Sequence, residues 1–203
     1  MSKAILFDLD GVLVDACELH RRALNFALIA VSGYEIPASD FHLYEGRPTK
    51  VKLNMLVGLG HIKEEDIPEI CRIKQEMTIR CANSMFHHDQ VKTNLFKHIK
   101  DRKLKIAVVS NAVRETVEHL LRLIGVWQHV DLIISNEDVE RPKPDPEGYL
   151  KAMEVLGAKP FETIIVEDSE VGIKAAKASG AIVVAVSGVD KVNWEMLRCR
   201  IAK

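Results

Sequence analysis

Asp8-Leu9-Asp10-Gly11-Val12 follows directly on the apolar run Ala4-Ile5-Leu6-Phe7, so two carboxylates stand where a buried strand is expected to end. Carboxylates at the rim of a core are costly unless they are paired or bound to a cation, and the spacing therefore points to metal-assisted chemistry. A second acidic pair, Glu167-Asp168, follows the apolar run 163–166, with Ser169 behind it. Capping of a helix that begins near Glu170 accounts for Asp168 or Ser169. It does not account for two acidic pairs at two strand ends.

Ser110-Asn111 closes the run 104–109 in the same way. A hydroxyl and a backbone N–H at that place grip a phosphate oxygen; the plain alternative is an ordinary turn or helix cap. Lys143 stands between Pro142 and Pro144, which restrict the backbone of its loop and so hold an ammonium in one place. Such a cation neutralises both a nucleophile and a transferring phosphoryl group, whereas the bland reading is a lysine facing solvent. Flanking prolines do nothing for solubility, which favours the first. Hard oxygen donors from Asp8 and Asp168, with the Asp10 carbonyl, water and a phosphate, form a set that suits magnesium.

The elements that must position these groups are five short aliphatic or β-branched runs, at residues 4–7, 104–109, 131–134, 163–166 and 181–186. They lack strict alternation, as parallel strands buried on both faces do. Helical patterns at 114–124, 146–156 and 170–179 lie between the later runs and stop at Gly125, Gly157 and Gly180. This alternation predicts an α/β fold, a doubly wound parallel sheet with helices on both faces. Residues 15–83 break the rhythm: they carry helical patterns at 15–31, 48–56 and 64–81, the last with Pro68 at its start or at a kink, and no convincing strand. The expected organisation is a catalytic core of residues 1–14 and 84–203, with a helical cap domain of residues 15–83 above the carboxyl ends of the sheet, where open α/β folds bind ligands.

With 203 residues, 47% of them apolar and 28% charged, the chain has the balance of one folded soluble protein. A net charge of −1 offers no global attraction to nucleic acid or anionic membrane, so an anionic substrate must be held by local groups. There is no charged-then-apolar leader and no apolar run long enough to span a bilayer. Cys17, Cys71, Cys81 and Cys199 show no C-x-x-C spacing and read as reduced thiols of a cytoplasmic protein, small core hydrophobes rather than ligands. His87-His88 reads as a loop, because adjacent side chains diverge.

Taken in order, Asp8-Leu9-Asp10-Gly11-Val12, Ser110-Asn111, Lys143-Pro144 and Glu167-Asp168 resemble the four signatures of the haloacid dehalogenase-like hydrolase superfamily, in its capped phosphatase and phosphomutase branch. The resemblance covers nearly the whole chain. It implies a Rossmann-like core and attack of Asp8 on phosphorus to give an aspartyl-phosphate. Asp10 would protonate the leaving oxygen and then deprotonate water. Ser110 and Lys143, with Asn111 beside them, would hold the phosphoryl oxygens. Asp8, Asp10 and Asp168 would bind Mg2+ with Glu167 in support, and the Lys143-Pro144 bond is of the kind that is often cis in the family. Dehalogenase members lack the second acid and use no magnesium, so Asp10 and Glu167-Asp168 argue against carbon–halogen cleavage.

Residues 8–20 most resemble the β-phosphoglucomutase and sugar-phosphate phosphatase relatives, including Asp15, Glu18 and His20. His20 would steer Asp10 or sense cap closure; a packed helical histidine is the equal alternative. Glu45-Gly46-Arg47-Pro48-Thr49-Lys50 resembles the substrate-specificity loop of the group, which makes Arg47 and Lys50 candidate substrate contacts. Thr49 stands where the mutase pattern expects an arginine for a second phosphate. The expectation is a magnesium-dependent phosphatase of a small phosphorylated metabolite, such as a sugar phosphate. A phosphomutase comes second and a non-catalytic phosphometabolite-binding protein third. A monomer or weak homodimer without nucleic-acid or membrane partners is expected.

Overall fold

The computed structural model describes residues 2–44 and 46–201, so Glu45 of the loop just named lies outside the described residues. The chain divides into two compact units, one running up to Asp15 and resuming at His87, the other spanning Ala16–Phe86. In chain order the elements are β1 (Ala4–Phe7), α1 (Cys17–Ser32), α2 (Thr49–Gly58), α3 (Ile67–Met85), α4 (Gln90–Asp101), β2 (Lys105–Val109) and α5 (Arg114–Leu123). They continue with β3 (Leu132–Ile134), α6 (Glu147–Leu156), β4 (Thr163–Glu167), α7 (Glu170–Ala178), β5 (Ile182–Ala185) and α8 (Trp194–Ile201).

The first unit is built on one parallel sheet of order β3-β2-β1-β4-β5. This is the doubly wound α/β architecture, with the helical insertion between β1 and β2. The chain winds one way from β1 to β3 and returns to the other side of β1 for β4, so strand order reverses beside β1, where such sheets open a crevice. All four residues of β1 and all five of β4 are buried, which explains the unbroken apolar runs 4–7 and 164–166. Leu6, Ala107, Val109 and Ile165 pack with Tyr149, Ala152 and Met153 of α6 and Ala175 and Ala176 of α7.

Helix α4 was not among the elements expected from the sequence. Its buried Leu95, Phe96 and Ile99 make the inward stripe, and Asp89 caps it by accepting the Lys92 N–H at 3.0 Å. The Phe96 ring stacks on Phe7 at 5.2 Å, so this helix covers the first strand. Trp194 of α8 lies against His98 of α4 and against Arg102 just beyond its end, at 5.1 and 4.2 Å.

The second unit is helical throughout its regular structure, and its core gathers Leu24, Ala27 and Leu28 of α1, Leu53 and Leu56 of α2 and Ile70 of α3. Pro68 occupies the first turn of α3 and not a kink; its missing N–H costs nothing there. Cys71 is half-buried and packs against the core of the helical unit, as expected, whereas Cys17 and Cys199 are exposed and Cys81 is half-buried. The last three lie off the buried stripes of their helices, which decides burial over residue type. His87 and His88 are exposed and outside any helix or strand. Among the described residues no helix is long and apolar enough to cross a membrane.

Candidate active site

Register brings the reactive groups together. Phe7 pairs with Val108 on one side and Val166 on the other, so the next residues, Asp8, Val109 and Glu167, leave three adjacent strands at one level. The Asp8 N–H extends the ladder to the Val166 carbonyl at 3.0 Å. Lys143 enters from the segment between β3 and α6. Its Nζ donates to Asp8 Oδ1 at 2.6 Å, to Glu167 Oε1 at 2.7 Å and to the Val109 carbonyl at 2.8 Å. Those acceptors match the three N–H bonds of an ammonium. Burial works against that charge, but Asp8, Tyr149 and Glu167 outweigh it and hold Lys143 well above the usual lysine range.

Negative charge remains in excess. Burial pushes the Asp8 carboxyl upward, and Glu167 and Asp10 add to the push that Lys143 opposes. Asp8, Glu167 and Asp168 each offer an oxygen within 4.8 Å of the others. Asp168 Oδ1 is buried without a hydrogen-bond partner among the described residues, and burial followed by the Glu167 charge pushes Asp168 up to about 6. An orphaned carboxylate oxygen in a cluster of acids fits a hard divalent cation. Gly11 closes the other side of that cluster. It has a φ of 84°, which favours glycine, and a Cβ there would collide with the Asp168 carboxylate.

The segment that carries Lys143 is fixed at several points. Asn111 accepts the Lys143 backbone N–H at 3.1 Å and donates to its carbonyl at 3.3 Å, so its side-chain amide grips the lysine's own backbone. The Lys143-Pro144 bond is cis. Upstream, Asp138 accepts from the Ser135 N–H, the Ser135 hydroxyl and the Arg114 guanidinium, at 2.8, 2.7 and 2.7 Å. Ser110 is buried beside this segment. Its backbone N–H is taken by the Ile134 carbonyl at 2.9 Å because the β2–β3 ladder continues one residue further, so any backbone N–H for a phosphate must come from the residues after it. Its Oγ accepts the Ala112 N–H at 3.0 Å, which leaves the hydroxyl proton to donate.

Asp10 is half-buried in the tight turn after β1, where the Gly11 N–H meets the Val14 carbonyl at 2.7 Å. The first unit thus holds Asp8, Asp10, Ser110, Asn111, Lys143, Glu167 and Asp168. His20, Arg47 and Lys50 belong to the helical unit. His20 lies in α1 with Nδ1 3.4 Å from Lys74 Nζ, and Arg47 and Lys50 are exposed at the start of α2. Tyr149 escaped sequence reasoning, since an aromatic residue in an amphipathic helix reads as core. Its hydroxyl donates to Glu167 Oε1 at 2.6 Å.

The model of a family described as haloacid dehalogenase-like hydrolase matches residues 5–186. The chain belongs to this family. Among curated relatives, the validoxylamine A 7'-phosphate phosphatase of Streptomyces hygroscopicus subsp. limoneus is 30% identical over 92% of this chain and 86% of its own. The pyrophosphatase PpaX of Halalkalibacterium halodurans is 31% identical over 93% of this chain and 87% of its own. The crystal structure of β-phosphoglucomutase from Clostridium difficile superimposes with a TM-score of 0.83, covering 100% of this chain and 98% of that one, at 20% identity. That likeness is one of fold. Like that structure, the chain carries a helical insertion between β1 and β2, and the family it belongs to is one of hydrolases.

Proposed function

We propose that this hydrolase is a magnesium-dependent phosphatase of a small phosphorylated metabolite, a sugar phosphate or similar monoester, working through an aspartyl-phosphate on Asp8. The observation that carries the reading is the seating of the Lys143 ammonium on Asp8 Oδ1, Glu167 Oε1 and the Val109 carbonyl. A buried cation fixed on one oxygen of a carboxylate leaves the other oxygen to attack and neutralises an incoming phosphoryl group.

In this mechanism an Asp8 oxygen forms a bond to phosphorus while the bond to the leaving oxygen breaks, and Asp10 gives that oxygen its proton. Asp10, now a carboxylate, takes a proton from water as the water oxygen attacks the same phosphorus. The acyl-phosphate bond then breaks, releasing inorganic phosphate and restoring Asp8. Ser110 donates to a phosphoryl oxygen, Lys143 sets its positive charge beside the phosphoryl group while its N–H bonds stay on Asp8, Glu167 and Val109, and Asn111 contributes by holding the lysine backbone. Asp8, Asp168 and the Asp10 carbonyl, with Glu167 in support, would hold Mg2+, which supplies charge neutralisation to the phosphoryl oxygens.

The two relatives named above, a validoxylamine A 7'-phosphate phosphatase and a pyrophosphatase, both act on phosphate compounds, which supports the phosphate as what the common residues handle. Thr49, an uncharged residue in the resembling loop, supports water over a second sugar hydroxyl as acceptor, and Arg47, Lys50 and His20 are the candidate contacts to the leaving group. A panel of phosphorylated metabolites, assayed with and without Mg2+ for free phosphate and isomer formation together, tests the reading. Magnesium-dependent phosphate release is expected. Isomer formation that needs a sugar bisphosphate and frees little phosphate would instead make it a mutase.

The raised Asp168 gives a pH dependence with a definite sign. With a folded value of about 6 against an ordinary value of 3.8, the metal-free folded protein binds a proton more readily than the unfolded chain. Its stability therefore falls as pH rises through that interval. A cation competes with the same proton, so Mg2+ affinity, measured by calorimetry, rises from about pH 5 to about pH 7 and then levels off. A flat affinity across that range would exclude Asp168 from the site.

A further inference from the structure

Tyr149 lies in the first turn of α6, six positions after Lys143, and is fully buried. Its hydroxyl donates to Glu167 Oε1 at 2.6 Å, and its ring centroid lies 4.8 Å from Lys143 Nζ. Glu167 is equally enclosed: Oε1 also accepts from Lys143 at 2.7 Å, and Oε2 accepts from the Asp168 N–H at 3.1 Å and the Ser169 hydroxyl at 3.4 Å. Gly172 of α7 packs on this carboxylate with no room for a Cβ. The Asp168 and Ser169 donors are neighbours of Glu167 in the chain, and Lys143 is the group to be held. Tyr149 is the donor that fixes the carboxylate from another helix.

We propose that Tyr149 is a positioning residue for phosphoryl transfer at Asp8, its hydroxyl setting the Glu167 carboxylate and its ring the Lys143 ammonium so that the cation stays on Asp8 Oδ1. The proposal rests on the phosphatase reading above. Without the hydroxyl, Glu167 Oε1 keeps Lys143 as its donor and turns toward it, drawing the ammonium away from Asp8. A ring face adds attraction for a desolvated cation that no aliphatic side chain supplies. Because Tyr149 is buried behind the lysine, the effect falls on the reacting state and not on substrate binding.

Tyr149→Phe, Glu167→Gln and the double variant are compared with the unaltered protein on p-nitrophenyl phosphate with saturating Mg2+, at a temperature where circular dichroism shows each fully folded. Tyr149→Phe lowers kcat about 10-fold, the scale of a lost hydrogen bond to a charged group, with KM unchanged within about two-fold. The double variant is no slower than Glu167→Gln alone, because the hydroxyl acts through that carboxylate. An unchanged kcat in Tyr149→Phe, a loss expressed only in KM, or losses that multiply in the double variant would overturn the positioning role.

A second readout needs no turnover. In metal-free protein carrying 15N-lysine, the ring current of Tyr149 displaces the Lys143 ammonium signal in the NMR spectrum. Tyr149→Phe keeps that displacement and Tyr149→Leu removes it; a signal indifferent to Tyr149→Leu overturns the ring contact. If the unaltered protein shows this displaced signal but no magnesium-dependent phosphatase activity on any phosphomonoester, the phosphatase reading falls and takes the positioning role with it, while the contact stands.

Discussion

Asp8→Asn abolishes phosphatase turnover, by about 10⁵-fold, the scale seen when a covalent nucleophile is removed, and leaves the protein folded. The amide has nearly the shape of the carboxylate, and the backbone bond from residue 8 to the Val166 carbonyl is untouched. Lys143 keeps the Glu167 and Val109 acceptors in the variant. The amide lacks the charge and lone-pair basicity that attack phosphorus, and it is a poor ligand for a hard cation. Removing one charge from a crowded acidic cluster relieves repulsion from Glu167 and Asp10, the neighbours that push Asp8 upward. Thermal unfolding of the metal-free variant is therefore expected at or above the unaltered protein's temperature. Turnover within about 10-fold of normal would remove Asp8 from the nucleophile's role.

Lys143→Met affects activity and stability together. Methionine fills much the same volume, so the loss is one of charge and hydrogen bonds rather than of packing. Asp8 and Glu167, which share the ammonium at 2.6 and 2.7 Å, are left facing each other in a buried site. Removing one partner of a buried ion pair costs about 3–5 kcal/mol, because the remaining charge is neither solvated nor paired. Urea unfolding at neutral pH reads this loss, and the deficit shrinks in acid as a proton relieves the repulsion. Turnover falls by about 10³-fold as the phosphoryl group loses its preorganised cation. A variant as stable as the unaltered protein would mean that the carboxylates do not depend on the lysine.

Much of this arrangement is legible in the sequence because buried parallel strands are apolar on both faces. The runs ending at Phe7, Val109 and Val166 mark strand ends, and a polar residue after such a run stands at the rim of the sheet. Asp8, Ser110 and Glu167 can be found that way. The contacts that fix them cannot, because they link residues far apart in the chain. Asn111 reaches the Lys143 backbone across 32 positions, and no local pattern distinguishes that clamp from a turn residue facing a ligand. Tyr149 was hidden for a different reason, since its ring satisfies the packing rule for its helix while its hydroxyl serves Glu167. Helix α4 shows a stripe of Leu95, Phe96 and Ile99, but the stripe is short and lies just after the helical insertion. Cys17, Cys81 and Cys199 show the reverse error, a residue-type preference overruled by helix phase.

The ammonium of Lys143 joins the ends of β1, β2 and β4, and those three strands are far apart in the order of synthesis. A growing chain that has completed Asp8 and even Lys143 still lacks Glu167, and the central place beside β1 that β4 will fill is open. The proposed nucleophile is thus made first and armed late. A truncated or half-translated chain carries the aspartate without the surroundings that make it reactive, so the same geometry that speeds the reaction in the finished protein keeps the unfinished one inert.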